Sequence, residues 1–422
     1  MHKPPEPPGP TTSAHGGAPG ASRIVEVDAL RALALLGILA VNIWYFAFPA
    51  TLAAGTRPAA GESGADQAAL FVSTVVFEGK SYVVFSLLFG LSLVLSGTLD
   101  DPGRRERIPG DREREDHVRR RAYRRFSALL VLGLLHGLLL FTGDILLAYG
   151  LLGFLLWSMR HLDARAALGW AAGLYAGVCG LLLAVGALAA AVPEAWETTA
   201  ETGASASAAA TASYTESLVS YLGYQLEVYP TVQPVLLLVQ GPVALAAFLL
   251  GMVVGRARLI PRLISGEIPV ARLAVAGTLA LLTGLAGSVS AAWLTWGLPG
   301  DSPPGTGLEG LATALVLTAG PVQSAGLAVL ILLLARTRTL RLVLRSLAPA
   351  GRMTLSNYLG QSLVLVLIFA APGLGLAGTL RPAEVGVVVL LLWGTQLVAS
   401  ALWMRRFRRG PFEAALHAWV AR

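Results

Sequence analysis

Residues 77–90 read FEGKSYVVFSLLFG, with a carboxylate and an ammonium two positions apart in otherwise apolar sequence. The chain has 30 Arg and two Lys, Lys3 and Lys80, so Lys80 is not a generic positive charge. Glu78 is a candidate general base. Lys80 is a candidate for steadying a developing oxyanion. The plainer alternatives are an ion pair between helices or a side chain reaching for the membrane interface. On an unbroken helix Glu78 aligns with Ser81 and Tyr82, while Lys80 points elsewhere. His136 lies in LGLLHGLLLFTGDILLAYG, where an imidazole can act as acid or base near neutral pH or simply hydrogen-bond between helices. Asp144 follows the tight turn Thr142-Gly143 and is placed to cap the next helix or to join His136 in chemistry. Asp28 and Arg31, three apart, can pair, and Asn42 lies deeper on the same segment. Asn357 and Gln361 share one helix face; Thr354, Tyr358 and Ser362 share the next. Such stripes are packing glue or ligand contacts. Gln240 and Gln323, each near a Gly-Pro pair, add polar groups. Zinc spacing, a phosphate-binding Gly loop and a serine nucleophile elbow are all absent from the sequence.

The elements that must position these groups are membrane helices. The 422-residue chain is 55% hydrophobic and 14% charged, with mean hydropathy +0.65. Soluble domains carry roughly a quarter charged residues. About ten runs are long enough to approach the roughly 20 apolar residues a span needs: 29–48, 68–97, 126–142, 144–159, 166–191, 233–255, 271–296, 309–335, 355–375 and 384–404. The second is about 30 residues long and must tilt or bend; Gly79 permits a break. Glu78 lies roughly 15 Å into it at 1.5 Å per residue.

Arginine sets the orientation. The basic loop 98–125 contains Arg119, Arg120, Arg121, Arg124 and Arg125, and further Arg clusters follow spans four, six, eight and ten. The intervening loops are poor in Arg; 192–232 has five Glu and no basic residue. The positive-inside rule then places both termini in the cytoplasm. The expected architecture is an all-α polytopic bundle over 23–404, a disordered Pro/Gly-rich tail at 1–22, and a basic cytoplasmic tail at 405–422. Loop 192–232 is expected to be mobile in its low-complexity middle, with an interfacial helix at its end. The net charge of +7 reports topology rather than nucleic-acid binding. The basic loop faces anionic lipid headgroups or a phosphorylated cofactor. Cys179 has no partner for an intrachain disulfide.

Five segments in order, RIVEVDALRALALLGILAVN, FEGKSYVVFSLLFG, LGLLHGLLLFTGDILLAYG, GRMTLSNYLGQS and RRFRRGPFE, resemble the YeiB-like family, whose C-terminal half is domain of unknown function 418. Its wider relatives look like transmembrane acyltransferases of the acyltransferase-3 and heparan-glucosaminide N-acetyltransferase types. The shared pattern is D-x-L-R with a polar residue fourteen after the Asp, here Asp28, Arg31 and Asn42. The resemblance implies a bacterial cytoplasmic-membrane protein. It also implies an enzyme moving an acyl group from cytoplasmic acyl-CoA to a small-molecule or envelope acceptor. The donor would enter near Arg31 and Arg119–Arg125. The glucosaminide group has a proposed catalytic His before span two; here that region, around Ala68 and Ala69, has none, which makes Glu78 and His136 the candidates for the base. No metal is implied, and a homo-oligomer is compatible. Intramembrane charges and helix breaks also fit a transporter, and a purely structural or signalling role is the third reading.

Overall fold

The computed structural model describes residues 24–53, 63–99, 111–192, 200–297 and 308–421. The expected tail at 1–22 lies outside them, as do Arg104, Arg105 and Arg107 of the basic loop. Every regular element among the described residues is helical, as expected for an all-α bundle. In chain order they are α1 (Val25–Ala47), α2 (Ala50–Ala53), α3 (Gly64–Val76), α4 (Ser81–Leu95), α5 (Asp111–Leu139), α6 (Leu146–Ser158), α7 (Ala164–Ala191) and α8 (Ala200–Thr215). There follow α9 (Leu218–Arg256), α10 (Leu259–Ser265), α11 (Val270–Trp296), α12 (Glu309–Leu334), α13 (Arg338–Arg352), α14 (Thr354–Phe369), α15 (Pro382–Arg406) and α16 (Pro411–Ala421).

Eight stretches are long and apolar enough to cross a membrane, with α3 and α4 counted as one. The shorter apolar helices α6 and α14 complete the set of spans expected from the sequence. Their outward faces carry exposed Leu238, Leu390 and Leu391, the surface a bilayer covers. The protein is a multi-pass membrane protein.

α1 is the central strut. Ala29, Ala32, Leu35, Leu39 and Ile43 along it are all buried, and it packs against α4, α13, α14 and α15. The contact with α13 is very close: a Cβ on Gly351 would meet the Asp28 carbonyl oxygen at 1.6 Å. α1 therefore holds Asp28 and Arg31 at one end of the bundle and Asn42 toward the other.

Two expected loops contain more helix than anticipated among their described residues. The second half of 98–125 forms the start of α5. In 192–232, residues 200–215 are α8, and α9 runs unbroken from Leu218 to Arg256. A helix of 39 residues is about 58 Å long at 1.5 Å per residue, well beyond a roughly 30 Å hydrocarbon core. Aromatic burial explains the order. Tyr214, Tyr221 and Tyr224 pack into a cluster with Phe46, Phe141 and Phe369. The Tyr224 hydroxyl donates to the Pro49 carbonyl (2.8 Å) and that of Tyr221 to the Leu139 carbonyl (2.9 Å). This region caps the Asn42 end of the bundle.

Candidate functional site

The FEGK segment is where span two breaks. α3 stops at Val76 and α4 begins at Ser81. Gly79 sits at φ 74°, a left-handed backbone that favours glycine. A Cβ there would meet the Val316 carbonyl oxygen of α12 at 2.7 Å. A break at membrane depth leaves carbonyls without helical partners, and each must be satisfied inside the protein. Lys80 does much of this: its Nζ donates to the carbonyls of Thr74 and Glu78, both at 2.8 Å. Gln323 Nε2 donates to the Val75 carbonyl (3.1 Å) and Ser324 Oγ to the Lys80 carbonyl (3.2 Å). Ser288 in turn holds Gln323 through its Oε1 at 2.7 Å. Lys80 is buried, and its ammonium is bonded to the backbone oxygen of Glu78, not to its carboxylate.

That leaves the Glu78 carboxylate for the space beside the break. It accepts one hydrogen bond, from Thr74 Oγ1 at 2.9 Å, and Thr74 accepts from Trp296 Nε1 at 3.1 Å. Glu78 lines a cavity of about 200 Å³ with Asn42, Tyr82, Phe141, Gly143 and Gln240 among its walls. Thus α1, the α3–α4 break, the α5–α6 turn, α9 and α12 converge on one chamber. Tyr82 contributes a wall, but its hydroxyl is buried among α4 and α7 side chains, with Tyr175 beside it.

His136 and Asp144 meet, beside the chamber rather than in it. His136 Nδ1 lies 2.8 Å from Asp144 Oδ1, and Nε2 lies 2.8 Å from Ser362 Oγ. All three residues are buried. A carboxylate only accepts, so Nδ1 carries the hydrogen, and Nε2 shares the second hydrogen bond with the serine hydroxyl. The order carboxylate–imidazole–hydroxyl is that of a triad in which the carboxylate fixes the orientation of the imidazole. The second Asp144 oxygen accepts from Leu147 N at 2.8 Å, the capping role expected from sequence. Gln233 Nε2 holds the Asp144 carbonyl at 3.1 Å, and the Tyr358 ring centroid is 4.9 Å from that of His136. The triad fixes the α5–α6 turn, whose Phe141, Gly143 and Ile145 line the Glu78 cavity. Ser362 is a residue that sequence reasoning placed on the Tyr358 face without a role. It comes 226 positions after His136, and only the fold joins them.

The remaining polar residues of α14 pack inward. Asn357 Nδ2 donates to the Ala350 carbonyl and to Ser400 Oγ, and Gln361 Nε2 donates to Gln396 Oε1 at 2.8 Å. These bonds tie α14 to α15.

A second cavity, about 230 Å³, opens at the other end of α1. Asp28, Arg31, Arg125, Arg352, Thr354 and Glu413 contribute to its walls. Arg31 Nη1 pairs with Asp28 at 2.6 Å and Nη2 reaches Ser92 Oγ. Of the five arginines singled out in the basic segment, Arg125 alone is among the lining residues. Arg119, Arg120, Arg121 and Arg124 are exposed, and Arg119 pairs with Asp116 at 2.9 Å. Arg352 and Glu413 were not anticipated as site residues, although Glu413 ends the quoted segment RRFRRGPFE. Among the described residues no cluster of three His, Cys, Asp or Glu side chains is placed to hold a metal ion.

Residues 262–422 match the family described as protein of unknown function (DUF418). The uncharacterised protein YxaH of Bacillus subtilis is 27% identical over 93% of this chain and 92% of its own. The uncharacterised protein YeiB of Escherichia coli is 27% identical over 93% of this chain and 94% of its own. The chain is thus similar to YxaH and YeiB along most of its length, and its residues 262–422 match DUF418. No solved structure matches it. The DUF418 region supplies Gln323, Ser324, Arg352, Ser362 and Glu413, and the preceding residues supply Arg31, Asn42, Glu78, Arg125 and His136. Both cavities are built jointly by the two parts of the chain: Thr313, Val316 and Leu317 line the one and Arg352, Thr354 and Glu413 the other.

Proposed function

We propose that the protein is a transmembrane acyl-transfer enzyme, taking an acyl group from a cytoplasmic acyl-CoA to a hydroxyl or amine at the far side of the bilayer. The observation that carries this reading is the pair of polar cavities at opposite ends of α1, one rich in guanidinium groups and one opening on the Glu78 carboxylate. The distribution of Arg puts the guanidinium cavity on the cytoplasmic side, where a phosphorylated thioester is available. Eleven residues of helix separate Arg31 from Asn42, about 16 Å, and an extended donor arm must bridge that distance. Leu35 and Ile38 of α1, packed with Phe85, stand between the cavities and would have to part.

In the Glu78 cavity the carboxylate takes the proton of the acceptor O–H or N–H. The freed lone pair attacks the thioester carbonyl carbon, the new C–O or C–N bond forms, and the C–S bond breaks. The leaving thiolate takes the proton back from Glu78. Asn42 and Gln240 orient the acceptor by amide hydrogen bonds. Lys80 holds the broken backbone that presents Glu78, and the His136 triad holds the turn opposite.

The test uses the Cys179→Ala protein in nanodiscs, which removes the chain's own thiol. Acyl-CoAs of graded chain length are added and free thiol is measured. Thiol release that falls about 10²- to 10⁴-fold in Glu78→Gln, the usual weight of a general base, is the expected result. No release with any chain length overturns the reading. The broken α3–α4 span favours one alternative, a transporter binding its solute at the break. It predicts Glu78-dependent flux into vesicles without thioester consumption.

A further inference from the structure

Arg125 is a charged group in an awkward place. It is half-buried, and its guanidinium lies over the Phe89 ring, 5.3 Å from the centroid. Among the described residues it makes no ion pair and no hydrogen bond. The cavity it lines also contains Arg31 and Arg352. Arg31 is paired with Asp28, and Arg352 Nη2 donates to the Arg408 carbonyl at 3.0 Å. A partly desolvated cation facing further cations is costly unless an anion joins it.

Both carboxylates in the cavity wall are engaged, Asp28 with Arg31 and Glu413 with α14. Glu413 of α16 reaches the first turn of α14, where its Oε1 accepts from Leu355 N (2.7 Å) and Ser356 N (3.1 Å) and its Oε2 from Ser356 Oγ. It thus offers the positive end of α14 an internal anion, as helix N-termini favour. The peptide is folded tightly to allow this: a Cβ on Gly410 would meet Glu413 Oε2 at 2.1 Å. Glu413 lines the same cavity as Arg125, so an entering anion meets three guanidinium groups and two carboxylates, Asp28, which is paired with Arg31, and Glu413.

We propose that the Arg125 cavity is a binding site for a phosphate-bearing ligand, with Arg125 as its principal charge partner and Glu413 as a built-in competitor that weakens binding. In naming phosphate it deepens the donor side of the acyl-transfer reading, on which it rests for the ligand's physiological role alone. Planar guanidinium groups match phosphate oxygens in pairs. The phosphate could belong to a soluble ligand or to a lipid headgroup.

The test is calorimetric titration of the purified full-length chain with inorganic pyrophosphate, together with titration of nanodiscs with and without phosphatidic acid. Pyrophosphate is expected to bind, with affinity falling as salt rises. Arg125→Gln should lower affinity at least about tenfold, and Arg120→Gln, an exposed arginine of the same helix, should leave it within about twofold. Glu413→Gln keeps an acceptor for the α14 amides and removes the like charge, so it should tighten binding about tenfold. A gain of this kind cannot come from misfolding. Arg125-dependent competition between phosphatidic acid and pyrophosphate would assign the site to a headgroup; pyrophosphate binding indifferent to the lipid would assign it to a soluble ligand. Failure to bind either probe overturns the site, as does equal loss in Arg120→Gln and Arg125→Gln. Unchanged or weaker binding in Glu413→Gln overturns the competitor role. None of these readings needs acyl transfer: a protein that binds pyrophosphate yet spares every thioester keeps this site and loses the enzyme.

Discussion

Lys80 and Glu78 stand two residues apart and do different work. The ammonium is bonded to two carbonyls left free by the helix break, whereas the carboxylate faces a cavity. Lys80→Met leaves both carbonyls unsatisfied, each at a cost of about 1–3 kcal/mol. The thermal unfolding midpoint should drop by several degrees. Glu78→Gln keeps an acceptor for Thr74 and should unfold near the wild-type temperature while losing thiol release. Tryptophan fluorescence on heating compares the two; a Lys80→Met protein of unchanged stability and no activity would make Lys80 a chemical group after all. Asp144→Ala is expected to be worse than either for stability. It strips His136 Nδ1 and Leu147 N of their partner together, and breaking a buried pair costs about 3–5 kcal/mol. Sequence alone offered the Asp28–Arg31 pair, because three residues on a helix fix a contact. It offered His136 and Asp144 at one depth, because a hairpin turn joins their helices. Ser362 was out of reach, since nothing local says which face of α14 meets α5.

The helices place these groups by being interrupted rather than by being regular. An unbroken span two would have turned Glu78 and Tyr82 to one face and covered its own carbonyls. The break at Gly79 instead points the carboxylate into the bundle and hands the carbonyls to Lys80, Gln323 and Ser324. Glycine at 79 was visible in the sequence as a point where a break is permitted. Its necessity was not visible, because it comes from φ 74° and from the Val316 carbonyl of a helix more than two hundred residues on. Gly79→Ala adds roughly 1–2 kcal/mol of left-handed strain and a backbone contact that α12 must move to relieve. Gly360→Ala in α14 is the control, since a Cβ there meets nothing within 4 Å and alanine is the better helix former by about 0.5–1 kcal/mol. The expected order of unfolding temperatures puts Gly360→Ala at or above wild type and Gly79→Ala clearly below. Equal values for the two would show that the break tolerates a side chain.

At the scale of the molecule, hydropathy and charge alternation carry most of what could be read in advance. The long apolar stretches and the two shorter ones recur as helices where the sequence put them. The low-complexity middle of 192–232 is more ordered than its sequence suggests, with residues 200–215 forming α8. Small polar residues looked too weakly apolar to order themselves, yet α8 and the start of α9 are held by tyrosines that bury against α1 and α14. That cap covers the Glu78 side of the bundle, so orientation decides which compartment the acceptor comes from. The arginine distribution puts the cap outside and α16 inside. Cys179 is the one cysteine, which makes the orientation directly measurable in a Cys179→Ala background. A cysteine at Ala208, exposed on α8, should react with a membrane-impermeant maleimide in intact cells. One at Ala418, exposed on α16, should react only after the membrane is opened. The reverse pattern would invert the molecule and place the guanidinium cavity outside, away from any cytoplasmic thioester. The acyl-transfer reading would then fail even though Arg125 could still bind a phosphate.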